Sequence, residues 1–230
     1  MSGAARKARA SRDQDESPFN LILQDLLDLL PFARGAAVFD SEGETVDYAG
    51  NLDPYDLRVI AATFQIVLTD LREVAFAAGL RDLLMNLTTS SYQIRVLDAH
   101  YSLIIVLRTM ATHCVSDRLV SEVAYRLAAE AGLERARKPA WYRVEVLASE
   151  KLRPLAIREP GEKTSWVTTD VIGSHPSNPA GDRGFRVHVR TGVEVNLVLE
   201  RNGLWFVDEP LDIALRGEAP DARQRLFHRK

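Results

Sequence analysis

The sequence predicts an α+β chain of two domains, and three observations carry that prediction. At 230 residues, with 46% hydrophobic and 27% charged, the composition is globular and the length suits two ordinary domains. Up to about residue 133, helical periods mix with short strands; beyond it the apolar pattern alternates every second residue. Charge and proline shift at the same place. Residues 18–133 hold eight arginines against fifteen acidic groups, whereas residues 134–230 hold seventeen basic against fourteen acidic groups, and seven of the ten prolines. The stretch Glu134-Arg-Ala-Arg-Lys-Pro139 marks the change. The expected organisation is therefore a disordered arm at 1–16, a first domain at 17–133, a linker at 134–140, a mostly-β domain at 141–216 and a flexible tail at 217–230.

The first domain reads as α-β-β-α-β-β-β-α. Phe19, Ile22, Leu23, Leu26, Leu27 and Leu30 repeat at helical spacing behind Ser17-Pro18, a capping residue followed by first-turn proline, and Pro31 ends the run. Gly35-Ala-Ala-Val-Phe-Asp40 is a short apolar strand, Ser41-Glu-Gly43 a turn, and Glu44 to Ala49 its hairpin partner. Asp53-Pro54 opens a long helix that Gly79 is expected to close, about 25 residues or roughly 37 Å. Three strands follow, at Asp82 to Thr88, Tyr92 to Leu97 and Tyr101 to Leu107, and then an amphipathic helix from Ser116 to Ala131 capped by Gly132. A five-stranded antiparallel sheet with the long helix on one face and two helices on the other buries every apolar stripe.

The long helix is apolar on two sides. Leu57, Ile60, Ala61, Phe64, Val67, Leu68, Leu71, Val74, Ala75 and Ala78 fill one broad arc, which packs on the sheet. A thinner stripe, Val59, Ala62, Ile66 and Ala77, lies on the far side beside a polar row of Arg58, Gln65, Thr69 and Arg72 that ends in Phe76. Two occupants suit that second side: another molecule, or the second half of the same chain. The candidate partner-binding residues are Arg58, Val59, Ala62, Gln65, Ile66, Thr69 and Arg72.

In the second domain, strands are expected at Trp141 to Ser149, Ser165 to Ile172, Phe185 to Arg190, Val193 to Leu199 and Trp205 to Val207, with a meander over 184–208. Asn202-Gly203 is a strong hairpin signal, both positions being expected at φ > 0. Gly173 to Gly184 reads as a long exposed loop, and the three tryptophans as core or interface.

Several chemistries are missing. There is no Gly-Lys-Ser/Thr phosphate loop and no Gly-x-Gly-x-x-Gly, so neither a GTPase nor a dinucleotide enzyme is expected. The net charge of −3 argues against generic nucleic-acid binding. His100, His113, His175, His188 and His228 are scattered, and His113-Cys114 has no second pair to complete a metal site. Cys114 as a nucleophile would need a histidine positioned by the fold, and His175-Pro-Ser177 is more simply a loop. No catalytic residue, metal or cofactor is expected. The single cysteine and the lack of an apolar signal core or membrane-length apolar run suggest a cytoplasmic protein without membrane insertion.

These elements carry a family resemblance. Leu26-Leu27, Gly35-Ala-Ala-Val-Phe-Asp40 with Gly43, the helix after Asp53, the paired strands from Leu83, the Tyr101-Ser-Leu-Ile-Ile-Val-Leu107 strand and the closing helix through Ala131-Gly-Leu133 together resemble the Roadblock (dynein light chain) family. They look most like its bacterial MglB-type branch, which regulates small Ras-like GTPases in cell polarity and gliding. The resemblance covers about residues 17–133. It implies a homodimer in which two long helices pair and the sheet continues across, and a helical platform for a Ras-like small GTPase. It also implies a non-enzymatic regulator or adaptor, leaving the β domain for a further protein partner. Family regulators resemble one another in bringing no catalytic finger, so Arg58 and Arg72 are read as solvated helix arginines. The competing expectation is a small-molecule-sensing module, which requires a cavity of roughly 300 Å³ or more between sheet and helix.

Overall fold

A computed structural model describes residues 15–74, 79–133, 137–161, 166–176, 181–190 and 192–211. The chain forms two compact units that divide between Lys138 and Pro139. The arm over residues 1–14 and the tail from 212 onward lie outside the described residues.

The first unit runs α1 (Pro18–Leu29), β1 (Ala33–Asp40), β2 (Thr45–Gly50), α2 (Pro54–Arg72), β3 (Asp82–Asn86), β4 (Ser91–Val96), β5 (Tyr101–Leu107), a single 3₁₀ turn (Thr112–Cys114) and α3 (Asp117–Glu130). Ser17 caps α1 by accepting from the Asn20 amide at 3.2 Å, and Ser116 caps α3 by accepting from Leu119 at 3.1 Å. The five strands are all antiparallel, in the order β2-β1-β5-β4-β3. Strands β1 and β5 are central and buried on both faces. Ala37, Phe39, Ile104 and Val106 meet Leu57, Ala61, Phe64 and Leu68 of α2. On the opposite pleat, Ala36, Val38, Leu103 and Ile105 are buried on the side of α1 and α3, which pack together and are joined by Arg126 and Asp25 at 3.0 Å.

Helix α2 is shorter than its periodicity suggests: it ends at Arg72, not at residue 78. Beyond Leu68 only Leu71 keeps partial burial, while Arg72, Glu73 and Val74 are exposed. The last turn tightens, with the Val74 amide donating to the Leu71 carbonyl at 3.1 Å. The helix has outrun the sheet, and exposed turns gain little from packing. Gly79 adopts φ +84°. Ala75, Phe76, Ala77 and Ala78 lie outside the described residues.

The second unit contains β6 (Tyr142–Ala148), β7 (Pro154–Arg158), β8 (Val167–His175), β9 (Arg183–Val189), β10 (Glu194–Leu199) and β11 (Trp205–Val207). They close into a six-stranded barrel in the order β10-β11-β6-β7-β8-β9. The expected meander is three of its staves. Strand β7 escapes the pattern because proline opens it and it is only five residues long. Pairing of Trp205 with Val144 and of Val207 with Tyr142 closes the ring, and closure removes both sheet edges. Val144, Ile157, Val187, Leu197, Trp205 and Val207 are among the residues filling the interior.

Two expectations need correction here, at the supposed loop and at the tight turn. Both ends of the supposed loop at 173–184 are strand: Gly173 to His175 belong to β8, and Arg183 and Gly184 to β9. The two ends pair with each other, His175 standing opposite Gly184. The β10–β11 turn has positive φ only at Gly203, +88°, not at Asn202. It is a tight loop in which the Glu200 amide donates to the Leu204 carbonyl and the Gly203 amide to the Glu200 carbonyl. Of the three tryptophans only Trp205 is core; Trp166 lies at the surface with the Arg158 guanidinium 4.4 Å from its ring centre.

Candidate partner-binding surface

Helix α2 positions the candidate residues. Asp53 caps it by accepting from the Tyr55 amide at 2.9 Å, and Pro54 occupies the first turn. Its inner arc centres on Leu57, Ala61, Phe64 and Leu68, all buried. Directly opposite run Val59, 46% exposed, Ala62, exposed, and Ile66, 64% exposed. Tyr55, 71% exposed, extends this stripe one turn towards the N-terminus. Positions 55, 59, 62 and 66 follow the i, i+4, i+7, i+11 spacing of a single helical face, so the signal that reaches Tyr55 was present in the sequence.

The polar row behaves differently. Gln65 is only 6% exposed, and its Nε2 donates to the Ser41 carbonyl at 2.9 Å and to Thr69 Oγ1 at 3.3 Å. The Thr69 hydroxyl in turn donates to the Gln65 carbonyl at 3.0 Å. Arg58 is half-buried, its guanidinium 5.8 Å from the Tyr48 ring centre. Gln65 and Arg58 therefore face the β1–β2 hairpin rather than open solvent. Gly43 lies against α2: a Cβ there would stand 3.1 Å from Ala62 Cα, and φ is +84°. Arg72 is exposed at the helix end. Val59, Ala62 and Ile66 thus share one open face with Thr69 at its end, while Gln65 and Arg58 are drawn to the hairpin.

At the far edge of the sheet, β3 pairs only with β4, so its outer backbone edge has no strand partner among the described residues. Leu84 on that strand is exposed. Buried Arg95 on β4 braces the edge by bonding Asp82 of β3, Asp117 Oδ1 at 2.6 Å and Ser121 Oγ at 3.0 Å on α3.

The scattered titratable residues do not converge. Cys114 is exposed in its 3₁₀ turn, and His188 lies 3.3 Å from Glu194 on the barrel. His175 ends β8 with its ring 5.9 Å from that of Trp141. Among the described residues, no three His, Cys, Asp or Glu side chains are grouped to hold a metal ion. Nor is any helix among them long and apolar enough to cross a membrane.

Solved structures similar to this chain are MglB and Roadblock/LC7 proteins. The gliding protein MglB from Thermus thermophilus matches with TM-score 0.45 at 16% identity, over 52% of this chain and 94% of its own. Myxococcus xanthus MglB matches with TM-score 0.45 at 11% identity, over 52% and 98%. A Roadblock/LC7 domain from Streptomyces avermitilis matches with TM-score 0.38 at 16% identity, over 49% and 91%. Each likeness takes in about half of this chain and leaves the remainder uncovered. No family model and no curated protein matches the chain.

Proposed function

We propose that this chain is a non-enzymatic regulator or adaptor. It pairs with a second copy through α2, and the pair presents a platform to a Ras-like small GTPase in polarity or motility signalling. The barrel engages a further protein. The observation that carries this reading is the stripe of Tyr55, Val59, Ala62 and Ile66 set directly opposite the buried arc of α2. A helix with a second apolar face gains by covering it. The edge of β3, which no strand among the described residues pairs, offers a second line of contact between copies. The element order of the first unit, which resembles the Roadblock family, supplies the GTPase.

The competing ligand-sensing reading requires space between helix and sheet. Phe39, Phe64, Ile94 and Ile104 occupy that layer and are buried. The regulator reading is tested by light scattering after size exclusion, together with capture by GTP- and GDP-loaded small GTPases from the same genome. A dimer that retains a GTPase, with both losses in Ile66→Asp, is the expected result. A strict monomer at tens of micromolar, or an unaltered Ile66→Asp variant, overturns it.

A further inference from the structure

At one end of the central strands a cleft of about 580 Å³ opens where the start of β1, the end of β2, the β3–β4 turn and the loop after β5 meet. Its size falls in the usual range for small-molecule sites, about 300–1,000 Å³. Arg34, Arg108, Asn51, Thr89 and Thr109 contribute its polar lining, and Leu52 part of its apolar wall. Among the described residues, no acidic side chain lines it. Neither Arg34 nor Arg108 has an ion-pair partner among the described residues, in a unit rich in carboxylates.

The backbone is shaped to bring these groups together. Arg34 is steered across the strand ends by its Nη1, which donates to the hydroxyl of buried Ser90 at 3.1 Å. Its remaining N–H groups are left for other acceptors. The Asn51 amide donates to the Arg34 carbonyl at 2.9 Å. That approach needs glycine at position 50: φ is +125°, and a Cβ there would stand 2.5 Å from Gly35 Cα. On the other side, the Arg108 amide donates to the Phe32 carbonyl at 3.0 Å, anchoring the loop. Two residues on, Met110 holds φ +61°, its amide donating to Ser91 Oγ at 2.8 Å. A left-handed methionine persists only where its surroundings impose it, and such strain gathers at binding sites.

We propose that this cleft binds the phosphate group of a soluble, phosphate-bearing small molecule, with Arg34 and Arg108 as its cationic donors. Two guanidiniums supplemented by hydroxyl and amide donors match an anion with charge near −2 and more than two acceptor oxygens. Phosphate has these and a carboxylate does not. The apolar wall accommodates the body of the ligand.

The test is titration of the full chain with pyrophosphate, followed by calorimetry and by backbone amide NMR. Saturable binding is expected, with shifts concentrated at Asn51, Thr89 and Thr109. Arg108→Gln should weaken it by at least about tenfold, as loss of a charge-assisted hydrogen bond does. Lys151→Gln, which removes the same charge from the exposed β6–β7 turn, should leave it unchanged. Arg34→Gln also loses the Ser90 bond; if that variant fails to fold, Arg108→Gln decides, since its side chain makes no bond to the rest of the unit among the described residues. No saturable binding at millimolar pyrophosphate overturns the proposal. So does equal weakening by Lys151→Gln. Adsorption to phosphatidic acid vesicles without any response to pyrophosphate overturns it as well, because the site would then serve a membrane surface.

Discussion

Gln65 sits at helical spacing with Arg58, Thr69 and Arg72, yet its amide is spent on the Ser41 carbonyl rather than offered to solvent. Gln65→Ala leaves that carbonyl and a small cavity at the hairpin, and a loss of about 1–2 kcal/mol in urea unfolding is expected. Restoring the amide reach with Gln65→Glu should not recover it, because a carboxylate cannot donate. In the barrel, Glu145 accepts from the Gly161 amide at 3.2 Å and from Arg158 Nε at 2.6 Å. The Gly161 amide first, and then Arg158, hold its carboxyl below the usual carboxylate range. A depressed folded pKa adds stability that is fully present above the unfolded value and is lost as pH falls through the folded value. Acid titration of barrel unfolding should therefore show a weaker fall over that window in Glu145→Gln than in the parent chain. Identical acid limbs would mean that Glu145 is not linked to folding.

Among the elements, α2 carries the functional argument. Its inner arc is locked into the sheet and its outer stripe is open, so outer substitutions should separate association from folding. Tyr55→Asp is expected to shift stability by no more than about 0.5 kcal/mol, as exposed surface changes do. It should nevertheless weaken self-association to the same degree as Ile66→Asp, measured by sedimentation. A dimer indifferent to Tyr55→Asp but broken by Ile66→Asp would confine the contact to the second half of the helix. The β3 edge depends on Arg95, whose buried guanidinium ties Asp82, Asp117 and Ser121 together. Arg95→Ala should destabilise the first unit by about 1–3 kcal/mol, chiefly through the bonding partners it strands.

For the whole molecule, the two units each have their own core: Leu57, Phe64 and Ile104 in one, Val187, Leu197 and Val207 in the other. Residues 139–230 expressed alone should keep the near-ultraviolet signature of Trp205, which packs at 5.6 Å against Phe185 inside the barrel. Residues 1–138 should keep self-association. Loss of the dimer in that fragment would transfer the contact to the barrel and remove α2 from the proposal.

The sequence alone determined the order of helices and strands in the first unit, the cap at Ser17, the opening of α2 at Asp53, and the two-sided character of α2. Those features are local: period, proline and capping chemistry act within a few residues. The place where α2 stops, the burial of Gln65, the closing of the barrel through Trp205 and Val144, and the meeting of Arg34 with Arg108 were decided by tertiary structure. Each depends on which distant strand or turn comes to lie alongside, and a one-dimensional pattern holds no record of a helix outrunning its sheet or of two backbones touching at Gly35 and Gly50.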